Sequence, residues 1–248
     1  MPQTLLNKVA VITGGGSGIG RATAELFLSE GAKVVLFARS AAPLEEVAAL
    51  APARVLTVTG DVTVGEDLAR LATATSRRFG QTDILVPAAG IARLAPLVHA
   101  NASEIDLQLQ VNFLGTLNTV RTFVPHLNSN AAVICLSGRM REGCGLGAFN
   151  ATKAAVAATA RSLAVELAPR RIRVNCIAPG PTDTLMWRKI GVSPKQTEQL
   201  LAKLTGPLKT AQLGTPQDVA EVALFLASES AGHVTGQEIV VDGGNAAG

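Results

Sequence analysis

Apolar residues along this chain fall into two alternating patterns. Short continuous runs rich in Val, Ile, Leu and Ala occur at residues 9–13, 33–38, 54–58, 84–86, 132–136, 172–177 and 238–241. Between them lie longer stretches whose apolar positions recur three or four apart, at 19–29, 44–50, 66–79, 103–127, 150–168 and 216–227. The first pattern predicts strands buried on both faces, the second amphipathic helices. Gly31 and Gly80 stand where the first and third of those helices should stop. Residues 181–207 are predicted to be irregular or helical. Alternating β and α segments with right-handed crossovers build a doubly wound parallel sheet covered by helices, an α/β fold. No Pro-, Gly- or Ser-rich linker and no repeat interrupts the pattern, so residues 1–248 are expected to form a single domain.

Composition narrows the function classes. The chain is 48% hydrophobic and 17% charged, which is globular, and its net charge of +3 is spread among acidic residues without a basic stripe. Nucleic acid is therefore not an expected partner. The N-terminus lacks a charged-then-apolar signal pattern, and no apolar run approaches the ~18 residues of a membrane span. A cytoplasmic protein acting on a small molecule is expected. Cys135, Cys144 and Cys176 form no C-x-x-C pair and no ligand spacing, so no metal site is expected, and Cys135 and Cys176 fall inside strands as buried thiols. His99, His126 and His233 are isolated, and Arg170-Arg171-x-Arg173 reads as a solvated edge.

Candidate chemistry begins after the first strand, at Thr13-Gly14-Gly15-Gly16-Ser17-Gly18-Ile19-Gly20. Glycines there let the backbone approach a pyrophosphate, and the helix that follows offers free N–H groups and a favourable dipole. The spacing, Gly14-x-x-x-Gly18-x-Gly20, differs from G-x-G-x-x-G but keeps the strand–turn–helix setting, and predicts a Rossmann-type nicotinamide dinucleotide site. The second strand ends Ala38-Arg39-Ser40 with no carboxylate to meet the adenosine ribose. Arg39 suits a 2′-phosphate, so NADP(H) is the expected cofactor and NAD(H) the alternative. Asp61, after the third strand, is a candidate acceptor for the adenine amino group.

With these residues in place the sequence resembles the short-chain dehydrogenase/reductase family over nearly its whole length. The resemblance is carried by residues 13–20, Asp61-Val62, Leu85-Val86-Pro87-Ala88-Ala89-Gly90, Val111-Asn112, Val133 to Gly138, Phe149-Asn150-Ala151-Thr152-Lys153, Val174 to Gly180, Val234-Thr235-Gly236-Gln237 and Val241-Asp242-Gly243-Gly244. It implies a seven-stranded parallel sheet between helix layers. It further implies cofactor contacts at Thr13, Gly14, Gly16, Ser17, Gly18, Ile19, Gly20, Val62, Gly90, Lys153, Pro179, Gly180, Thr182 and Thr184, with Ile177 nearby. Residues 185–208, with Met186, Trp187 and Ile190, would form a substrate lid, and a homotetramer or homodimer is implied.

The family acts through Asn, Ser, Tyr and Lys, with Tyr-x-x-x-Lys one helical turn apart so that both side chains meet one cleft. Asn112 and Lys153 match. Four residues before Lys153 stands Phe149, and the chain contains no Tyr at all. The serine's place falls on Ser137-Gly138; Ser137 is the candidate if the following loop is short, and otherwise caps the strand. Pro87-Ala88 replaces a usual Asn-Asn. In the loop 138–147, which also carries Arg139 and Arg141, Glu142 and Cys144 are candidate replacement acids, although a solvated loop with a passive thiol is the simpler reading. Three functions follow: an NAD(P)(H)-dependent oxidoreductase reducing a carbonyl, enone or imine without the Tyr acid; a cofactor-binding protein without turnover; and a non-redox enzyme on the same scaffold.

Overall fold

The computed structural model describes residues 4–140, 145–206 and 208–245. Strands β1 (Val9–Thr13), β2 (Lys33–Ala38), β3 (Val55–Thr59), β4 (Thr82–Pro87), β5 (Leu127–Leu136), β6 (Arg173–Pro179) and β7 (Glu238–Val241) form one parallel sheet in the order β3-β2-β1-β4-β5-β6-β7. This is the single-domain α/β architecture expected from the alternating pattern. Chain order reverses between β1 and β4, so the loops leaving their carboxyl ends diverge and open a crevice.

Helices α1 (Gly18–Ser29), α2 (Ala41–Ala48), α3 (Gly65–Phe79), α4 (Ala102–Gln108), α5 (Gly115–Phe123), α6 (Gly147–Glu166), α7 (Pro194–Thr205) and α8 (Pro216–Ala227) complete the fold. One face of the sheet buries Phe27, Leu36, Leu44 and Ile134 with Val219 and Leu226 of α8. The other buries Phe37, Leu71, Phe123 and Val133 with the apolar stripe of α6. Each such side chain contributes about 1.5–3 kcal/mol on leaving water. On α6 the buried positions Phe149, Thr152, Lys153, Val156, Ala157 and Ala160 recur three and four apart, so the stripe that docks the helix also carries Lys153 to the sheet.

Two expectations change. The single helix over 103–127 is broken: α4 passes into a π turn (Leu109–Leu114), then α5, and a short turn Val124–His126 containing Pro125 ends it. β5 then starts at Leu127, five residues before the apolar run suggested, because Leu127 pairs with Thr82 ahead of a register shift. Residues 181–206 are irregular or helical as expected, with a 3₁₀ turn (Leu185–Lys189) and α7, which starts at a capping box in which Ser193 and Gln196 bond reciprocally. Among the described residues, no helix is long and apolar enough to cross a membrane.

Candidate active site

A cleft of about 310 Å³ opens at the carboxyl ends of β1 and β4. Its floor is the glycine loop. Gly14 has φ +69°, and a Cβ there would lie 2.9 Å from the Ala88 carbonyl on the loop after β4. A Cβ on Gly20 would lie 2.5 Å from the Gly14 oxygen, so α1 approaches the turn as closely as backbones allow. Ser17 caps α1 without a side-chain bond, which leaves its hydroxyl and the first helical N–H groups uncommitted. Thr13, Gly16 and Ile19 complete this turn; Thr13 Oγ1 accepts from Ala89 N at 3.2 Å and ties β1 to the loop after β4. Pro87 and Ala88 do not break that pairing, since Ala88 N still donates to Thr13 O.

At the far end of the cleft Ala38 leads to Arg39, which is exposed and makes no ion pair or hydrogen bond among the described residues. Asp61 uses Oδ1 to accept from the Thr63 N–H (2.9 Å) and hydroxyl (2.8 Å), leaving Oδ2 open to the cleft. Its own N–H donates to Asp67, whose carboxyl is held below its ordinary range first by that bond and then by Arg70. Val62 is buried against the face of Gly115.

The reacting end gathers residues from four elements. Asn112 sits in the π turn, fully buried. Its Oδ1 accepts from Ile91 N (2.8 Å), and its Nδ2 donates to Ile91 O (2.9 Å) and Thr152 Oγ1 (3.1 Å). The amide thus stitches the loop after β4 to α6. Lys153 donates from Nζ to Leu136 O at 2.8 Å and lies 5.7 Å from the centroid of the Phe149 ring. Burial pushes its ammonium down to about 8 from an ordinary 10.5. Gly90 faces both groups: a Cβ there would stand 3.4 Å from Asn112 Oδ1 and 3.5 Å from Lys153 Nζ. The thiols of Cys135 and Cys176, register partners on β5 and β6, are buried nearby, and Cys176 is pushed up by its bond to Cys135 and then by burial.

Ser137 lines the same cleft, but its hydroxyl turns away from Phe149. Oγ lies 2.7 Å from Glu238 Oε1 and 3.0 Å from Ile177 O, and its single proton goes to one of those acceptors. Gly138 is the residue that faces the reacting end: a Cβ there would stand 3.4 Å from both Lys153 Cγ and the Phe149 ring. Phe149 is buried with Met140, Trp187 and Ile190 in a cluster that also takes in Leu200 and Leu204 of α7. The candidate acids Glu142 and Cys144, with Arg141, lie outside the described residues.

The segment that carries the 3₁₀ turn and α7 leaves the end of β6. Gly180, whose Cβ would collide with Asp242 at 2.5 Å, turns the chain after Pro179. Thr182 then accepts the Trp187 indole proton on its carbonyl at 2.7 Å, and Thr184 packs its methyl toward Gly18. Thr182 and Thr184 therefore face the phosphate turn from above. One cleft residue went unmarked by any pattern. Arg93 Nη1 donates to Lys189 O (2.7 Å) and Ala92 O (3.0 Å), clasping the 3₁₀ turn Leu185–Lys189 to the loop after β4.

Glycine faces that exclude any Cβ, an uncapped helix N-terminus, a free cation at the β2 end and a buried lysine at the other fit an elongated dinucleotide. Comparison with known proteins agrees. A family model described as enoyl-(acyl carrier protein) reductase matches residues 14–246. The chain is similar to the 3-oxoacyl-[acyl-carrier-protein] reductase of Thermotoga maritima, 36% identical over 97% of this chain and 98% of that one. L-fucose dehydrogenase of Mus musculus is 35% identical over 96% of this chain and 88% of its own. A solved short-chain dehydrogenase/reductase from Brucella melitensis, titled a glucose/ribitol dehydrogenase, superposes with a TM-score of 0.90 at 30% identity over 99% of both chains. The chain therefore belongs to the short-chain dehydrogenase/reductase family of oxidoreductases, whose members bind NAD(P)(H).

Proposed function

We propose that this protein is an NADP(H)-dependent reductase whose acceptor needs little acid catalysis, with Phe149 standing where the family places its acidic Tyr. The observation that carries the reading is the pairing of Phe149 with Lys153 at the reacting end: the ring has no proton to give, and the buried ammonium beside it would supply the positive charge there. Gly138 supports the same reading, because the residue facing Lys153 and Phe149 from β5 also lacks a hydroxyl. A bound nicotinamide would supply the hydride. Arg39 would pair with the 2′-phosphate, and the α1 N-terminus with Ser17 would hold the pyrophosphate. Lys153 Nζ would bind the nicotinamide ribose, draw negative charge forming on the acceptor, and release a proton to it. Asn112 keeps the Gly90–Ile91 backbone in place beside that nitrogen.

Loss of a positioned general acid lowers a rate by ~10²–10⁴ where a full alkoxide forms. A conjugated enone spreads that charge into an enolate, and an iminium ion accepts hydride without forming an anion. The site therefore favours these acceptors over a simple ketone. The test is oxidation of NADPH, followed at saturating cofactor against a cyclic enone, a cyclic imine and a simple ketone. Turnover of the enone or imine at least 10²-fold above the ketone is expected. Tight NADPH binding without turnover of any acceptor would establish the second reading, a cofactor-binding protein, which the missing hydroxyls at both positions 138 and 149 favour.

A further inference from the structure

The substrate end of the cleft is charged in one direction. Its wall is apolar, with Ile91, Leu107, Met140, Phe149, Met186 and Trp187. Among the described residues that line the cleft the carboxylate is Asp61, which stands at the far end after β3. Arg93 and Lys189, in contrast, face the substrate end, and neither is needed to hold a dinucleotide.

Arg93 is held like a fixed fork rather than a solvated surface chain. Nη1 is pinned by two carbonyls, Nε lies 3.5 Å from the half-exposed Glu104 carboxylate, and its backbone N–H donates to the buried Gln108 Oε1 at 3.1 Å. Gln108 in turn donates to Glu104 O at 3.2 Å. Nη2 makes no hydrogen bond among the described residues. A guanidinium fixed at one edge and open at another is preorganised to receive an oxyanion. Lys189 adds a second cation from the lid side; it is exposed, and its side chain has no partner among the described residues.

We propose that Arg93, assisted by Lys189, binds a carboxylate on the substrate, so that the acceptor is an apolar molecule carrying one anionic group. This rests on the reductase reading for the identity of the cleft as a substrate site. Clasping the carboxylate at the lid edge would leave the apolar body against Met186 and Trp187 and direct the reactive carbon toward Phe149 and Lys153.

Trp187 is the single Trp of the chain and lines this cleft, so its fluorescence reports occupancy without requiring turnover. The probes are trans-2-octenoate and trans-2-octenamide, which share their carbon skeleton and conjugation and differ in charge, titrated into the intact protein with NADP⁺ present. The acid is expected to bind about 10-fold or more tighter than the amide. Arg93→Gln should bring the two within about twofold, leaving amide and NADPH affinity unchanged, and Lys189→Gln should weaken the acid alone by about threefold. Equal affinity for acid and amide in the wild type overturns the proposal. So does a loss in Arg93→Gln that falls equally on both probes, which would mark Arg93 as a lid clasp only, or a preference that survives both substitutions and belongs to Lys153. Should Arg93→Gln fail to fold, Lys189→Gln decides: an unchanged acid-to-amide ratio overturns the proposal. Selective binding of the acid without reduction of any acceptor would sink the reductase reading and leave this subsite standing.

Discussion

The two ends of the cleft are built from the same fold yet differ in what has been kept. At the glycine-loop end the close approach that a dinucleotide would need is provided by backbone: Gly14 against Ala88, Gly20 against Gly14, and α1 beginning at Gly18. A Cβ at either position meets main chain at under 3 Å, so the geometry is enforced by exclusion. At the reacting end the framework is equally rigid, with Asn112 making three hydrogen bonds and Lys153 fixed to Leu136 O. The hydroxyls that such a framework would position are absent: Phe149 presents a ring edge, Gly138 presents nothing, and Ser137 bonds into the sheet. Binding and chemistry are thus separable in this chain, and substitutions can pull them apart.

The largest effect is expected at Lys153. Lys153→Met should lower acceptor reduction by about 10²–10³, because it removes the positive charge that would steady the forming enolate at the reacting end. The same change should raise stability. The folded ammonium has its pKa lowered from 10.5 to about 8, so protonation favours the unfolded chain. That penalty is complete below pH 8, amounts to about 3 kcal/mol, and disappears above pH 10.5. Denaturant melts at pH 7 should therefore show Lys153→Met more stable than wild type, with the gain fading at high pH. An equal loss of activity and stability would mean that Lys153 acts as a structural post.

Next in size is the restoration of hydroxyls. Phe149→Tyr with Gly138→Ser should raise simple-ketone reduction by about 10²-fold over wild type. The added Cβ at 138 makes only ordinary contacts of 3.4 Å, so the fold should accept the pair. Ketone rates that stay flat would show that the framework itself, and not the missing hydroxyls, sets the acceptor range. Smallest is Arg39→Ala, which should weaken NADPH by about 10-fold and leave NADH unchanged, as titration of both cofactors would show. Equal weakening of both would remove the basis for the NADP(H) preference.

Much of this contrast was legible in the sequence for physical reasons. Buried parallel strands and the glycine turn are local patterns, and the architecture and the position of the loop after β1 followed from them. Phe149 and Lys153 share a helix at one-turn spacing, so their convergence was legible too. Asn112 was placed in a continuous helix because its apolar periodicity runs on unbroken. The π turn arises from a tertiary pull, the amide's bonds to Ile91 twenty-one residues away, which periodicity does not contain. Ser137 and Gly138 were left undecided by counting residues to Phe149. Alternation along β5 does not decide between them: Val133 and Cys135 lie on the α6 face, a parity that would extend to Ser137, yet past the strand's end at Leu136 it is Gly138 that meets Phe149 and Lys153. Arg93 had no local signal, since its role comes from the Lys189 carbonyl ninety-six residues away.

On this reading the charge on Lys153 serves the reacting end in place of a tyrosine. The pH dependence of kcat for reduction of a conjugated enone at saturating NADPH measures that directly. The rate should hold steady below about pH 8 and fall about 10-fold per unit above it, as the buried ammonium loses its proton. A rate that stays level to pH 10, or one retained in Lys153→Met, would contradict it.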